Sequence, residues 1–182
     1  MPRLHLVRHG RAAAGWDADP DPDLDDVGRA QAEAVVDRLP PTASAVWSSP
    51  LLRCRRTSEP YARQIGATVE VVSEVAEIPS PEGIPMGQRV PWLREAMAGS
   101  WADLGDRYTS FRDMLVERLA SVETDTVVFS HFVAINAVIG ACLGDDRLVI
   151  RSLDNTSVTV VETGPSGLVL IEGGHEADTL IR

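Results

Sequence analysis

The stretch Leu4-His5-Leu6-Val7-Arg8-His9-Gly10 is a short apolar run that ends abruptly in two basic side chains and a glycine. Its first half predicts a buried β-strand from Leu4 to Val7, because aliphatic residues dominate it. In an open α/β sheet, ligands bind in the crevice outside the carboxyl ends of the strands. A histidine there can act as a nucleophile or a base, and an arginine beside it can bind an anion. The pair also fits a surface cation next to a hydrogen-bonded histidine, so the rest of the chain has to decide.

The bulk properties favour one globular domain and exclude broad nucleic-acid binding. A chain of 182 residues can bury a full core, and we expect a single domain over residues 1–182. Its 44% hydrophobic and 24% charged residues are typical of globular proteins. The net charge of −10 disfavours nucleic acid, which requires a basic surface. A small anionic substrate is still compatible with this charge, because local arginines can outweigh a distant acidic surface.

The cysteines and the hydropathy give further expectations about the chain's environment. Cys54 and Cys142 fall in predicted helices without metal-ligand spacing, so we expect two free thiols. No apolar stretch approaches the roughly 20 residues of a membrane span, and Met1-Pro2-Arg3 leads directly into the first strand. We therefore expect a cytoplasmic protein with no signal peptide and no membrane partner. A symmetric homodimer is expected only because that arrangement is the commonest.

Strands alternate with helices along the chain. The predicted strands are 4–7, 43–48, 69–72, 126–130, 158–162 and 168–172, and the predicted helices are 28–39, 49–66, 106–121 and 131–143. This alternation predicts an α/β fold, a three-layer sandwich whose mostly parallel central sheet carries helices on both faces. Residues 78–105 are rich in Pro, Gly, Met and Trp and show no period. We interpret them as a lid-like excursion over a pocket, with a short helix near 90–98.

Four groups of polar residues each come just after a predicted strand. They are Arg8-His9-Gly10, the segment from Ser49 to Thr57 with Arg53, Glu77, and Ser130-His131-Phe132. Ser49 as N-cap and Pro50 in the first turn predict a helix start whose backbone N–H groups face the crevice. Because parallel strands end at the same edge of a sheet, we expect these side chains to converge there.

This ordered set resembles the histidine phosphatase superfamily, also called the phosphoglycerate-mutase-like family. The resemblance covers most of the chain, and its strongest parts are Leu6-Val7-Arg8-His9-Gly10, Ser49-Pro50-Leu51-Leu52-Arg53 with Thr57, and Ser130-His131. It implies the phosphoglycerate-mutase-like fold. It also implies a metal-independent phosphomonoesterase that acts on a small phosphorylated molecule, or binds free phosphate, and uses no cofactor.

The resemblance implies a role for each candidate residue. His9 would be the nucleophile that forms a phosphohistidine, which requires a deprotonated attacking nitrogen. Arg8 and Arg53 would clamp the phosphoryl oxygens, because a planar guanidinium matches their geometry. His131 would add a further donor to those oxygens, as a cation when phosphate is bound. Glu77 would protonate the leaving alkoxide and then activate water. Such a clamp needs no metal ion.

Several alternatives stay open for individual residues. Glu74 and Glu82 lie near Glu77 in sequence, and either could be the proton donor instead. His9, Glu77 and His131 could in principle bind a metal, but the arginines beside them disfavour a cation.

The surroundings of the motifs depart from the family's usual pattern. Phe132-Val133 replaces the usual small residues after His131 and predicts a more apolar pocket wall. The family's usual asparagine after Arg-His-Gly is missing, which leaves its phosphate contact absent, or supplied by Arg11 or a backbone N–H. An apolar subsite could be lined by Trp92, Leu93, Met97 and Trp101, although tryptophans at such spacing more often pack a lid onto the core.

Two other functions use the same residues. A phosphoglycerate-mutase-type phosphoryl transferase would return the phosphoryl group to a second position of a small acid. Such members are usually longer and carry extra basic residues for a carboxylate, whereas this chain is short and acidic with an apolar segment at 80–104. A non-catalytic phospho-ligand-binding protein would keep the fold alone, and the intact set of Arg8, His9, Arg53 and His131 argues against it. The phosphatase is therefore preferred.

Overall fold

A computed structural model describes residues 1–176 and builds them around one six-stranded sheet. The strands are β1 (Arg3–Arg8), β2 (Ala45–Ser48), β3 (Val69–Val71), β4 (Thr126–Ser130), β5 (Val158–Gly164) and β6 (Gly167–Glu172). They lie in the order β3-β2-β4-β1-β5-β6. Strands β1 to β4 are parallel to one another, while β5 and β6 form an antiparallel hairpin at the β1 edge. The predicted mostly parallel sheet is confirmed.

Helices cover both faces of this sheet. They are α1 (Asp26–Val35), α2 (Leu52–Ile65), α3 (Arg89–Met97), α4 (Trp101–Leu104), α5 (Asp106–Ala120) and α6 (Phe132–Leu143). In β4, Val127 and Phe129 join the cluster formed with α1 and α2, whereas Val128 joins the cluster formed with α3 to α6. Alternate residues of a strand point to opposite faces, so the sheet is buried on both sides. The predicted three-layer sandwich is confirmed.

The first turn of α2 corrects the predicted helix start. Ser49 and Pro50 lie outside the helix, which begins at Leu52 with Leu51 as an N-cap that makes no side-chain bond. The Leu52 N–H instead donates to Oδ1 of Asp21, at 2.7 Å, from the acidic loop after β1. The expected open helix end at the crevice is therefore partly covered by a carboxylate. The Ser49 hydroxyl still accepts from the Leu51 N–H at 3.2 Å, ahead of the helix, and it is also hydrogen-bonded to His131.

The segment 78–105 contains more regular structure than expected. The short helix predicted near 90–98 is present as α3, and a further helix, α4, begins with a capping box between Ser100 and Asp103. Trp101 in α4 is fully buried and packs against Phe111 of α5. None of the helices within residues 1–176 is long and apolar enough to cross a membrane.

Candidate active site

The backbone of His9 is held by the carboxyl ends of neighbouring elements. Its N–H donates to the carbonyl of Ser130 at the end of β4, at 3.0 Å. Its carbonyl accepts from Asn155 Nδ2, at 3.0 Å. The next N–H, that of Gly10, donates to the hydroxyl of Thr57 in α2, at 3.0 Å. The end of β1 is therefore tied to β4, to α2 and to the segment that enters β5.

Gly10 is required by a close approach of two backbones. A Cβ at Gly10 would lie 2.6 Å from the carbonyl oxygen of Gly28 in α1, too near for any side chain. On the other side of β1, Thr156 donates its N–H to the Arg8 carbonyl while in a left-handed conformation, with φ of 55°. That conformation is unfavourable for a β-branched residue, and Arg38 supports it by donating to the Thr156 carbonyl at 2.9 Å.

The hydrogen bonds of the His9 ring fix its tautomer. Nδ1 lies 2.7 Å from the Gly10 carbonyl, which can only accept, so Nδ1 carries the proton. Nε2 therefore carries no proton, and its lone pair accepts a hydrogen bond from Arg53 Nε at 3.2 Å. Burial, followed by the charges of Arg53 and Arg8, holds the pKa of His9 well below its ordinary value. The imidazole is thus neutral, with Nε2 as its nucleophilic nitrogen.

Of the two arginines beside His9, Arg53 is buried and Arg8 is half-buried, and neither has a carboxylate partner among the described residues. Arg8 donates from Nη1 to the Leu153 carbonyl at 2.6 Å, and its guanidinium lies 5.1 Å from the centre of the Phe132 ring. Within residues 1–176 neither Arg8 nor Arg53 forms an ion pair. Arg8 Nε and Arg53 Nη1 are buried with no hydrogen-bond partner. Since an unpaired buried charge is costly, this arrangement favours an anion between them.

His131 lies directly beneath His9 and has no exposed surface. The centroids of the two rings are 5.2 Å apart, in an edge-to-face arrangement. Its Nε2 is hydrogen-bonded to the Ser49 hydroxyl at 2.8 Å and lies 3.3 Å from Cys54 Sγ. Burial, then the charge of Arg53, holds the pKa of His131 well below its ordinary value. Burial raises the pKa of Cys54, so this thiol stays protonated and is a poor nucleophile.

Glu77 is held at the N-terminus of α6. Its Oε1 accepts from the N–H groups of Ala134 and Ile78, both at 3.0 Å, and its Oε2 accepts only from the Val133 N–H, at 3.2 Å. Burial raises the pKa of Glu77 and outweighs these donors, which favour the charged form. Oε2, with its single partner, is therefore the oxygen better able to carry a proton.

These side chains open into one pocket with about 100 Å³ of space accessible to water. The polar floor of the pocket consists of Arg8, His9, Arg53 and Glu77. The apolar wall consists of the remaining lining residues, Ala12, Ala14, Trp16, Pro22, Leu93, Phe132 and Val133. Of the five predicted site residues, four line the pocket and His131 lies just behind His9. Glu74 and Glu82 do not line it and face Arg118 and Arg107.

The wall matches the sequence expectations only in part. Phe132 and Val133 line it, as predicted. Among the residues considered for an apolar subsite, only Leu93 lines it, because Trp92 packs between Tyr108 and Trp16. Trp16 itself was not singled out from the sequence, although it stands alone in a loop of alanine, glycine and aspartate.

Three interactions that support the site were not predicted from the sequence, and Arg11 does not supply the phosphate contact of the missing asparagine. Ser49 contacts His131, Asn155 donates to the His9 carbonyl, and the Leu153 carbonyl accepts from Arg8. Of these three residues, Ser49 lies in a motif on which the resemblance rests. Arg11 donates from Nε to Oδ2 of Asp25 at 2.5 Å, so its guanidinium is not available for the missing asparagine's contact. Within residues 1–176 no group of three His, Cys, Asp or Glu residues could hold a metal ion.

A known family has this combination of fold and site. The sequence profile of the histidine phosphatase superfamily, branch 1, matches residues 4–173, and the chain belongs to that superfamily. Membership supports phosphatase activity. No curated protein sequence shows significant similarity to the chain.

Solved structures share the fold at low sequence identity. A phosphoserine phosphatase mutant from Entamoeba histolytica, in complex with phosphoserine, is 21% identical with a TM-score of 0.73, covering 94% of this chain and 96% of that one. The mycobacterial glucosyl-3-phosphoglycerate phosphatase is 20% identical with a TM-score of 0.74, covering 97% of this chain and 100% of that one. At these identities the likeness establishes the fold.

Proposed function

We propose that this chain is a metal-independent phosphomonoesterase that acts through a phosphohistidine at His9. The observation that carries the proposal is a pair of arginines beside a neutral imidazole, which form no ion pair within residues 1–176 and each bury one N–H group without a partner. A phosphoryl group between Arg8 and Arg53 would satisfy both guanidiniums and lie against Nε2 of His9. The phosphoserine bound to one structural neighbour and the glucosyl-3-phosphoglycerate in the name of the other are also phosphomonoesters, which agrees with this class of substrate.

In the first step, Nε2 of His9 attacks phosphorus and the bond to the leaving oxygen breaks. Glu77, whose pKa is raised by burial, gives its proton in the protonated form to that oxygen, and the alcohol departs. The Nδ1–H of the phosphorylated ring still donates to the Gly10 carbonyl, and this hydrogen bond stabilises the positive charge that the ring acquires. Arg8 and Arg53 stabilise the charge on the phosphoryl oxygens throughout.

In the second step, the Glu77 carboxylate removes a proton from water as the water attacks phosphorus. The bond from Nε2 to phosphorus breaks, which releases inorganic phosphate and restores both residues. His131 is neutral when no anion is bound, because burial, and after it the repulsion from Arg53, lowers its pKa. A bound phosphoryl dianion offsets that repulsion, and we propose that His131 then becomes a cationic donor to the phosphoryl group.

Hydrolysis of 4-nitrophenyl phosphate in the presence of EDTA tests the proposal. The wild type should turn over at acidic to neutral pH, and His9→Ala should lose activity by about 10⁴-fold or more, since the nucleophile is gone. His175→Ala, at an exposed histidine outside the pocket, should keep wild-type activity. Full activity of His9→Ala, or complete inhibition by EDTA that a divalent metal reverses, would contradict the proposal.

The phosphoryl-transferase alternative is tested in the same assay. A mutase needs cations for a second anionic group, and among residues 1–176 the pocket lining contains no cation besides Arg8 and Arg53. We therefore expect water to be the acceptor. Release of inorganic phosphate in equal amount to 4-nitrophenol supports hydrolysis, and retention of the phosphoryl group on a second alcohol would favour the mutase.

A further inference from the structure

The apolar wall is uniform in chemistry. Every lining residue outside the polar floor is apolar, and the largest of them are Trp16, Leu93 and Phe132. The helix α3 also carries Arg89 and Arg94, but of α3 only Leu93 contributes to the lining. A substrate whose phosphoryl group occupies the floor would therefore place its alcohol part against hydrocarbon.

The wall is held in shape by aromatic packing. Trp16 comes from the loop after β1 and lies 6.2 Å, between ring centroids, from Trp92 of α3. Trp92 in turn lies 5.5 Å from Tyr108 of α5. Contacts of this kind join the loop, α3 and α5. The wall is thus built before any substrate arrives, which lowers the entropic cost of binding an apolar group.

The rim of the pocket is acidic. The loop that provides Trp16 and Pro22 also carries an aspartate at every second position, at Asp17, Asp19, Asp21 and Asp23. Asp23 is paired with Arg29 and Arg56, and Arg11 at the start of the loop is paired with Asp25. Within residues 1–176 the other three aspartates, Asp17, Asp19 and Asp21, form no ion pair. An approaching anion meets this negative field in addition to the hydrocarbon wall.

We propose that the pocket selects phosphomonoesters whose alcohol part is apolar, preferably aromatic, and carries no second negative charge. The inference rests on the proposed function and adds the substrate class. A carboxylate against the wall would lose its hydration without gaining a cationic partner, and a buried charge without a counter-charge is strongly unfavourable. An uncharged ring would instead bury apolar surface against Trp16, Leu93 and Phe132.

Two substrates that differ in one carboxylate test the proposal. Benzyl phosphate and 4-carboxybenzyl phosphate have leaving alcohols of similar reactivity, so the chemical step treats them alike. We expect kcat/KM to be higher for benzyl phosphate by about 100-fold or more. Equal values, or a preference for the carboxylated ester, would overturn the proposal.

A new cation in the wall should reduce that ratio. Ala14→Arg places a guanidinium in the lining, and Ala13→Arg adds the same charge at an exposed neighbour in the same loop. Ala14→Arg should lower the preference for benzyl phosphate to within about tenfold, because the carboxylate gains a partner. Ala13→Arg should leave the ratio near the wild-type value. If both variants shift the ratio equally, long-range charge sets the preference and the wall does not.

Binding measurements separate this proposal from the proposed function. If no phosphate ester, including 4-nitrophenyl phosphate, is hydrolysed, the proposed function fails. The wild type can then be titrated calorimetrically with both benzyl esters. Tighter binding of benzyl phosphate, lost on addition of the carboxylate, still supports the selectivity. Equal affinities overturn it, with or without turnover.

Discussion

The polar floor and the apolar wall of the pocket are built in different ways. Arg8, His9 and His131 follow directly from buried parallel strands, and short hydrogen bonds hold their backbones or side chains. Trp16 and Leu93 come from a loop and a short helix that reach the pocket through side-chain packing. The floor supplies chemistry common to any phosphomonoester, whereas the wall supplies selection. The two regions should therefore respond to mutation in different ways.

Substitution of Glu77 is expected to cause the largest difference between the hydrolysis rates of esters with poor and with good leaving groups. Glu77→Gln cannot donate a proton, so hydrolysis of an alkyl ester such as benzyl phosphate should slow by about 10²–10⁴-fold. 4-Nitrophenyl phosphate should be affected much less in the first step, because its leaving group departs without a proton. Steady-state and burst kinetics on both esters measure this difference. Glu74→Gln, outside the pocket, is the control and should behave as wild type.

If both esters lose the same factor in the burst phase, Glu77 is not the general acid. The rate loss in Glu77→Gln should be the same for benzyl phosphate and 4-carboxybenzyl phosphate, because the wall, and not Glu77, discriminates against the carboxylate.

Arg53→Ala should lower kcat by the same factor for every substrate. The variant removes a buried donor that contacts His9 Nε2, and loss of one such charge-stabilising donor costs about 10²–10³-fold in kcat. Arg56→Ala, an exposed arginine on the same helix paired with Glu59, should leave activity unchanged. The ratio between the two benzyl esters should stay constant in Arg53→Ala. A changed ratio would show that floor and wall are not separable.

The stability of the protein should depend on pH through the two histidines. Both have pKa values well below the ordinary 6.5, so above that pH they are neutral in the folded and unfolded chain alike. Below it the unfolded chain binds protons that the folded chain does not. The free energy of unfolding should then fall by up to about 1.4 kcal/mol per histidine for each pH unit.

Denaturant titrations in phosphate-free buffer measure this slope. Glu77, whose pKa is raised, contributes the opposite sign, so the difference between wild type and His131→Gln isolates one histidine. The variant should show a smaller loss of stability toward acid than the wild type. An unchanged slope in His131→Gln would mean that folding does not lower the pKa of His131.

Ser49 is expected to have the smallest effect. Ser49→Ala removes a hydrogen bond to His131 worth about 1 kcal/mol, so kcat should fall several-fold for all substrates. Ser49→Thr should restore most of it. Ser58→Ala, at a buried serine of α2 whose hydroxyl donates to the Arg55 carbonyl, is the control and should leave kcat unchanged. A wild-type kcat in Ser49→Ala would remove Ser49 from the positioning of His131.

The floor could be predicted from the sequence because it obeys a local rule. Polar residues directly after buried strands meet at one edge of a parallel sheet, so Arg8, His9 and His131 could be brought together without coordinates. Arg53 was placed near the floor although its helix begins three residues later than predicted, because the segment still follows β2.

The rest depends on contacts between distant segments. Trp16 lines the pocket because it packs on Trp92, some 76 positions away in the chain, and no period in the sequence links the two. The hydrogen bonds at the start of α2 are a second example. Asp21 accepts from the Leu52 N–H, and Ser49 bonds to both the Leu51 N–H and His131, which depends on how the segments fold together.

Trapping of the phosphorylated enzyme tests the central claim most directly. The wild type and Glu77→Gln are mixed with ³²P-labelled 4-nitrophenyl phosphate and quenched in alkaline denaturant within the first turnover. We predict an acid-labile label on the peptide that contains His9, in greater amount in Glu77→Gln because water is activated more slowly, and none in His9→Ala. Turnover by the wild type without any such label, or a label that survives acid or lies on another residue, would contradict the account.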